Sequence, residues 1–578
     1  MKKIYLTLII GIFYTFSDAQ TFITNVSIID VEKQKVISNQ TVEITDDKIS
    51  TIQSSKKVNI PDGVITIDGT NKFLVPGLVD AHVHFFQNGG LYARPDVIDL
   101  RSEMPYDREI ELSKNNMSVH SKHYIKNGIT TVIDVGATHN LLDKRKEFEK
   151  DSLAPNIYMT GPLLTTYEPA VYNNLENNSP FSLVKTIDEG IKMVQNQLQY
   201  DPDFIKIWYI VGADGLDTET SAKKNLPIVK AIIEEAHKNN LKVAVHATQR
   251  ITAQLAVENG ADFLVHSVDD ELISTEFAKL LKKKNTILCP TLIVHDRYMK
   301  TFAQNFDYSN HELMTSNPYQ LGTLMDLPHL ENKQLIDGYK NMANSETSAT
   351  RSEKMNSVMM TNLKTLVDEG VTIATGTDAG NIGTLHASSY LAELVAMQKS
   401  GMNNWQILEA STINGAKVLN HENEFGSISI GKKANLILLD KNPVEDIMNI
   451  TSINRVINKG KVFETNSIIE DAPETLAQRQ LNAYNARNIE AFLEPYADDV
   501  EIYTFPDKLM LKGKDLMRTS YASMFKSTPN LHCKLENRIV QGNIVIDEER
   551  VQFGDRILEA TAIYHIENGK IQKVYFIN

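Results

Sequence analysis

Between residues 73 and 420 the chain alternates short apolar runs with longer helix-period stretches, and this rhythm constrains the fold more than any other feature. Eight runs read as strands: Phe73–Val79, Ile129–Asp134, Asn156–Thr160, Phe204–Trp208, Lys242–Val245, Asp262–Val265, Thr286–Cys289 and Thr372–Thr375. Between them lie amphipathic patterns such as PIVKAIIEEAHKNN. Such alternation argues for parallel βα units, and eight of them need about 250 residues. The expected fold class is α/β, a (β/α)8 TIM barrel over residues 73–420. The surplus length falls mainly at 296–356, a polar, Asn- and Met-rich stretch read as a helical insertion. Long insertions at this face serve as lids or as surface decoration, and both readings stay open.

The flanks have β character. Thr21–Asp30, Gln40–Ile44, Lys48–Ile52 and Val64–Asp68 alternate as strands do, and so do GSISIGKKANLILLD and INRVINKGKVF after Gly426. Residues 20–72 and 421–465 are expected to build one composite β-sandwich. A polar linker, 464–473, leads into 474–578, a helix-then-strands segment expected to form a cone-shaped α+β domain. At the start, Lys2 and Lys3 precede an apolar run from Ile4 to Phe16 that ends at Ser17-Asp18-Ala19. This is the layout of a secretory signal peptide, residues 1–19, and the run is short of the roughly 20 residues a membrane span needs. Export to the periplasm or medium is expected, with no stable membrane insertion after cleavage; an uncleaved anchor is the alternative. Cys289 and Cys533 are the only cysteines and fall in different segments, so no disulfide framework is expected. Lys and Arg total 59 against 73 Asp and Glu, a net charge of −14, which argues against nucleic acid or an anionic membrane as the main partner. Assembly into a homo-oligomer is left open.

The chemistry begins at Pro76-Gly-Leu-Val-Asp-Ala-His82-Val-His84. Residues two apart on a strand share a face, so His82 and His84 are expected to point together, and imidazole is a common ligand for metals such as zinc. An HxH alone is a weak signal. Four more ligand-competent residues stand at or just past other strands: Lys206 in DFIKIW, His246 after VAV, His266 after FLV and Asp378 after TIATGT. In a barrel such ends converge on one site.

The segments FLVPGLVDAHVH, GITTVIDVG, DFIKI, VAVHA, GADFLVHS, TGTDAG, ASTINGAKVL and GKKANLILLDKNP, in this order over residues 20–465, resemble the amidohydrolase superfamily in its imidazolonepropionase-like and Xaa-Pro-dipeptidase-like branch. The resemblance implies two divalent metals, with zinc the first expectation, and a carboxylated Lys206 bridging them. It implies that His82, His84 and Asp378 bind one metal, and His246 and His266 the other. Two metals about 3.5–4 Å apart turn a bridging water into hydroxide near neutral pH. Asp378 is the expected catalytic residue, taking the water's proton and passing it to the leaving amine. The function implied is hydrolysis of a C–N bond, amide or cyclic amide, in a small or dipeptide-like substrate. A lactonase, esterase or phosphotriesterase on the same metals is the alternative, as is a non-catalytic scaffold with a ligand-binding C-terminal domain. Trp208, Tyr209, His139, Tyr167 and His295 follow or end predicted strands and are candidate substrate contacts.

Residues 474–578, with QLNAYNARNIEAFLEPYADDVEIYTFP and NGKIQKVYF, resemble the nuclear-transport-factor-like fold, which includes SnoaL-like and ketosteroid-isomerase-like proteins. In the isomerases a Tyr in the first helix and a carboxylate base do the work. Gln480 stands at the first position and Tyr503-Thr504 near the second, which favours binding or dimerisation over catalysis here.

Overall fold

The computed structural model describes residues 20–577; the expected signal peptide, residues 1–19, lies outside the described residues. The described residues form a mixed α/β protein with four hydrogen-bonded sheets. Two of them are parallel and carry the βα rhythm. Strands Leu78–Val83, Ile129–Asp134 and Asn156–Met159 form one. The other runs, in spatial order, Phe181–Leu183, Leu163–Thr165, Phe204–Trp208, Lys242–His246, Phe263–Val265, Ile287–Cys289.

Three of the expected strands take a different form. The first divides at Gly77: Phe73–Pro76 joins the flanking sheet, and only Leu78–Val83 enters the parallel one. Gly77 is required by close approach, since a Cβ there would lie 2.1 Å from Thr130 Oγ1. The third is interrupted at Gly161-Pro162. Asn156–Met159 pairs with Ile129–Asp134, and Leu163–Thr165 pairs with Phe204–Trp208; a proline lacks the amide hydrogen a ladder needs. The eighth, Thr372–Thr375, is not a regular strand. Ile373 bridges Leu288 and Ala379 bridges Val83, each as an isolated pair; between the two bridges Asp378 has φ +58°, outside extended geometry. The two sheets meet through these bridges, an arrangement consistent with a single barrel.

The flanking strands expected to form a sandwich make one continuous eight-stranded sheet. Its order is Lys461–Glu464, Ile453–Asn458, Leu436–Leu439, Phe73–Pro76, Gln20–Asp30, Lys35–Thr45, Lys48–Ser54, with Ile65–Asp68 also paired to Gln20–Asp30. Ile23, Val42, Ile49, Leu74, Leu436 and Ile457 share one buried cluster, so residues far apart in sequence close a common core.

The insertion is helical, with Val294–Ala303, Asn310–Thr315, Pro318–Thr323, Lys333–Ala343 and the start of Glu346–Asp368. It packs against the C-terminal domain: Leu313, Leu321 and Leu327 share a cluster with Leu476, Phe492 and Val500. That domain is β-rich, a six-stranded sheet ordered Lys508–Lys512, Tyr496–Thr504, Lys570–Ile577, Arg556–Glu567, Ile544–Phe553, His532–Gln541. Helices Pro473–Asn485, Ile489–Leu493 and Lys514–Ser527 accompany it. Arg479 is buried at the junction, paired with Asp471 and donating to the Ser316 carbonyl at 3.1 Å. Cys289 and Cys533 are both free and buried. No helix among the described residues is long and apolar enough to cross a membrane.

Gly77→Ala is expected to destabilise the chain by about 2 kcal/mol or more, because the new methyl group meets Thr130 in a packed interior. Urea denaturation followed by circular dichroism measures it; an unchanged midpoint would contradict the close approach.

Candidate metal centre and substrate cavity

Strand alternation explains which side chains reach the site. Phe204, Ala244, Phe263 and Val265 face a common apolar cluster inside the parallel strands. Two residues on from Phe204 comes Lys206, then Trp208, and two on from Ala244 comes His246, so these share that face one pleat further along. Continued alternation would turn His266 away from Val265's side. Its φ of +76° breaks the alternation, and its ring lies 4.4 Å from that of His246 and 4.9 Å from that of His82, centroid to centroid. Thr291, which shares a 2.6 Å hydrogen bond with His266 Nδ1, also has positive φ, +49°. Non-glycine residues in this region are strained, and strain of this kind gathers at functional sites.

The centre of the site is the Asp378 carboxylate. Its Oδ1 lies 3.1 Å from His82 Nε2 and 3.2 Å from His84 Nε2, and Oδ2 lies 4.0 Å from His266 Nδ1. The two Nε2 atoms are 3.3 Å apart. Donor atoms of His82, His266 and Asp378 all fall within 4.8 Å of one another. Despite these distances, Asp378 Oδ1 and His82 Nδ1 are buried without a hydrogen bond of proper geometry. Burial pushes His82 down to about 4, partly opposed by Asp378, and holds His246 and His266 well below the usual imidazole range. Burial would raise the Asp378 carboxyl, but the nearby rings of His82, His84 and His266 hold it well below the usual carboxylate range. Lys206 is 1% exposed, and burial lowers its amine to about 7. The set therefore brings neutral His82, His246 and His266 to an ionised carboxylate, beside an amine that sheds its proton easily.

These groups open into a cavity of about 490 Å³. Lys206, His84, His246, His266 and Asp378 line its floor. The insertion supplies Tyr298, Met299, Phe302, Tyr339, Met342 and Met355 to its wall. Among the candidate substrate contacts, Trp208 and His295 line the cavity, and His295 Nε2 is hydrogen-bonded to the Ser352 hydroxyl at 2.8 Å. Tyr209 does not: as the neighbour of Trp208 it faces the helix layer, where its hydroxyl donates to the Ala222 carbonyl at 2.5 Å. His139 does not either; it opens a short helix and stacks on Tyr200, ring centroids 4.1 Å apart. Tyr167 is 41% exposed and outside the lining.

The amidohydrolase family profile matches residues 73–463, more than half of the chain. The chain belongs to the amidohydrolase family. It is a hydrolase acting on carbon–nitrogen bonds. The SnoaL-like domain family matches residues 477–574. This amidohydrolase is 22% identical to the 5-methylthioadenosine/S-adenosylhomocysteine deaminase of Carboxydothermus hydrogenoformans, over 81% of this chain and 95% of that one. It is 32% identical to the imidazolonepropionase of Brevibacillus brevis over 107 residues, which is 18% of this chain and 24% of that one. A crystal structure of a Xaa-Pro dipeptidase with methionine bound superposes with TM-score 0.58 at 24% identity, covering 77% of this chain and all of the other.

The donor set of the amidohydrolase fits a divalent-metal centre, because a cation at this point would satisfy the orphaned Asp378 Oδ1 and take the lone pairs of His82 Nε2 and His84 Nε2, which stand 3.1 and 3.2 Å from that oxygen. Its supporting residues escaped sequence reasoning. Asp80 accepts from Thr377 N at 3.0 Å and Thr377 Oγ1 at 2.7 Å, tying the first strand to the segment that carries Asp378. Asp134 accepts from Phe85 N at 3.0 Å and Gly136 N at 3.1 Å, and the Gly136 carbonyl receives His84 Nδ1–H at 2.9 Å. That bond leaves Nε2 of His84 with its lone pair free. Asp80 was visible as the DxH of the first motif, two residues before His82; Thr377 carried no signal of its own.

Thr377→Val keeps the shape but leaves Asp80 short of a donor. It is expected to cost about 1–3 kcal/mol of stability and to weaken metal retention about 10- to 100-fold. Thermal unfolding and metal analysis after dialysis read both, and full metal retention would rule out the tie.

Proposed function

We propose that the chain hydrolyses an amide or cyclic amide bond in a small or dipeptide-like substrate, at a binuclear metal centre in the mouth of one (β/α)8 barrel. The observation that carries this reading is the buried, unsatisfied Oδ1 of the ionised Asp378 carboxylate, facing the His82 and His84 rings beside Lys206 at the floor of a cavity. His82, His84 and Asp378 would hold one cation and His246 and His266 the other, with Lys206 between them. When bound, two divalent cations, zinc first, would supply a bridging hydroxide and polarise the scissile carbonyl.

The protein's own groups do the rest. With its amine lowered to about 7 by burial, Lys206 is partly neutral at physiological pH. The neutral nitrogen forms an N–C bond to carbon dioxide and loses a proton, giving an anionic carbamate with two oxygen donors. Asp378 accepts the proton of the attacking water and returns it to the leaving amine. Trp208, His295 and the methionine-lined wall take up the apolar part of the substrate, and thioether side chains adapt to varied shapes. The deaminase, imidazolonepropionase and Xaa-Pro dipeptidase relatives support C–N cleavage and a small substrate. The Lys2–Ala19 layout supports action outside the cytoplasm.

A screen of N-acyl amino acids, Xaa-Pro and Xaa-Arg dipeptides, lactones and aryl phosphotriesters tests the reading. Turnover of lactones or phosphotriesters without any amide would replace it. Lys206→Ala is expected to reduce bound metal from about two per chain to one or fewer and activity by about 100-fold or more; an active variant with two metals would defeat the bridging role. Trp208→Ala is expected to raise KM about 10-fold with little change in kcat, as loss of apolar contact predicts. An unchanged KM would remove Trp208 from the substrate site.

A further inference from the structure

Helix Tyr390–Lys399 carries a glutamate, Glu393, that is 0% exposed and stands outside the lining of the hydrolase cavity. Among the described residues it pairs with no lysine, arginine or histidine, and both its oxygens go to backbone amides instead. Oε1 accepts from Leu292 N at 2.9 Å and Oε2 from Ile293 N at 3.2 Å. A buried carboxyl group without a cation is costly, and an apolar side chain of similar size often serves stability as well or better. The acid stands where the two amides lead into helix Val294–Ala303, whose N-cap residue, Ile293, offers no side-chain acceptor of its own.

Those amides end a short turn that holds His266. The Cys289 carbonyl accepts from His266 N at 2.9 Å and the Pro290 carbonyl from Ser267 N at 3.0 Å. Thr291 follows, with φ +49° and its Oγ1 2.6 Å from His266 Nδ1. A β-branched residue in this region is strained, and such a conformation persists only where the surroundings over-determine it. The neighbouring strand holds one end of the turn, and Glu393 holds the other. Three residues before Glu393, on the same helix face, the Tyr390 hydroxyl donates to the Val79 carbonyl at 2.8 Å, in the strand that carries His82. One helix thus braces the segments of both groups of imidazoles.

We infer that Glu393 is a positioning residue of the metal centre: it fixes the turn 290–293 and, through Thr291, sets the His266 ring. The inference rests on the centre proposed above. Without Glu393 the Leu292 and Ile293 amides lose their acceptor, the strained turn relaxes, and Thr291 Oγ1 leaves His266 Nδ1. Partners of this kind orient a ligand imidazole and change metal affinity without touching the cation.

Titration of the metal-free full chain with Co(II), read by chelator competition and by the visible absorption of bound cobalt, tests the inference. Glu393→Gln keeps the size and one acceptor but sets its own N–H against a backbone N–H. It is expected to weaken the more weakly held cobalt about 10-fold or more and to change the absorption band. Thr291→Val, which removes the hydroxyl, is expected to do the same. Because both act along one path, the double variant is expected to lose about 10-fold, where independent effects would multiply to about 100-fold. Glu393→Asp, which keeps both oxygens on a shorter arm, lies between Glu393→Gln and wild type, and serves where the glutamine variant does not fold; circular dichroism establishes folding. Ile457→Ala, a truncation in the separate core of the flanking sheet, is expected to unfold at lower temperature yet bind cobalt as wild type does. Wild-type affinity and absorption in Glu393→Gln or Glu393→Asp would overturn the inference, as would losses that multiply in the double variant or an equal loss in Ile457→Ala. A wild-type chain that binds no cobalt would overturn the proposed function, and this inference with it.

Discussion

A buried carboxylate oxygen given no proper hydrogen bond is a demand that the surrounding structure has to meet, and Asp378 Oδ1 places that demand at the centre of this fold. The segment carrying it is held by the first strand at several points. Asp378 N donates to the His82 carbonyl at 2.7 Å, His84 N to the Ala379 carbonyl at 2.8 Å, and Ala81 N to the Thr375 carbonyl at 2.8 Å. Together with the Asp80–Thr377 contact, these bonds fix three donors drawn from opposite ends of the parallel strands to within a few ångströms. The positive φ at Asp378, His266 and Thr291 is sustained because neighbouring strands leave those backbones no relaxed alternative.

The insertion between the seventh strand and the Asp378 segment has two partners. One side forms the wall of the hydrolase cavity through Tyr298, Met299 and Tyr339. The other seats the C-terminal domain, where Arg479 donates to the Ser316 carbonyl and Asn482 Nδ2 to the Pro318 carbonyl at 2.7 Å. Helix Pro473–Asn485 lies between the insertion and an apolar cavity within the C-terminal domain. Arg479 and Asn482 face the insertion, and Gln480, Leu481 and Tyr484 line that cavity. Successive helical residues are about 100° apart, which lets one helix serve two surfaces. Burial of Leu313, Leu321, Leu476 and Phe492 in one cluster makes the junction a packed core rather than a loose tether.

Much of the site was legible because its chemistry is local in sequence. A polar ligand-competent residue at or just past an apolar strand stands out, so His82, His84, Lys206, His246, His266 and Asp378 could be picked out singly as candidates, and Trp208 ended a predicted strand. Tyr209 and His139 were picked out on the same ground and lie outside the cavity lining. Proximity to a strand end does not say which way a side chain points, and a one-residue offset sends it into the helix layer.

The sequence by itself determined the parallel α/β character, the kinds of candidate metal donors and the β-rich C-terminal segment, since these follow from hydrophobic period and side-chain chemistry. Only the tertiary structure decided that Gly77 divides the first strand, that His266 turns inward, and that the insertion walls one cavity while seating a second domain. Those outcomes depend on contacts between residues far apart in the chain, and local pattern carries no information about the close approach, burial and backbone strain that such contacts impose.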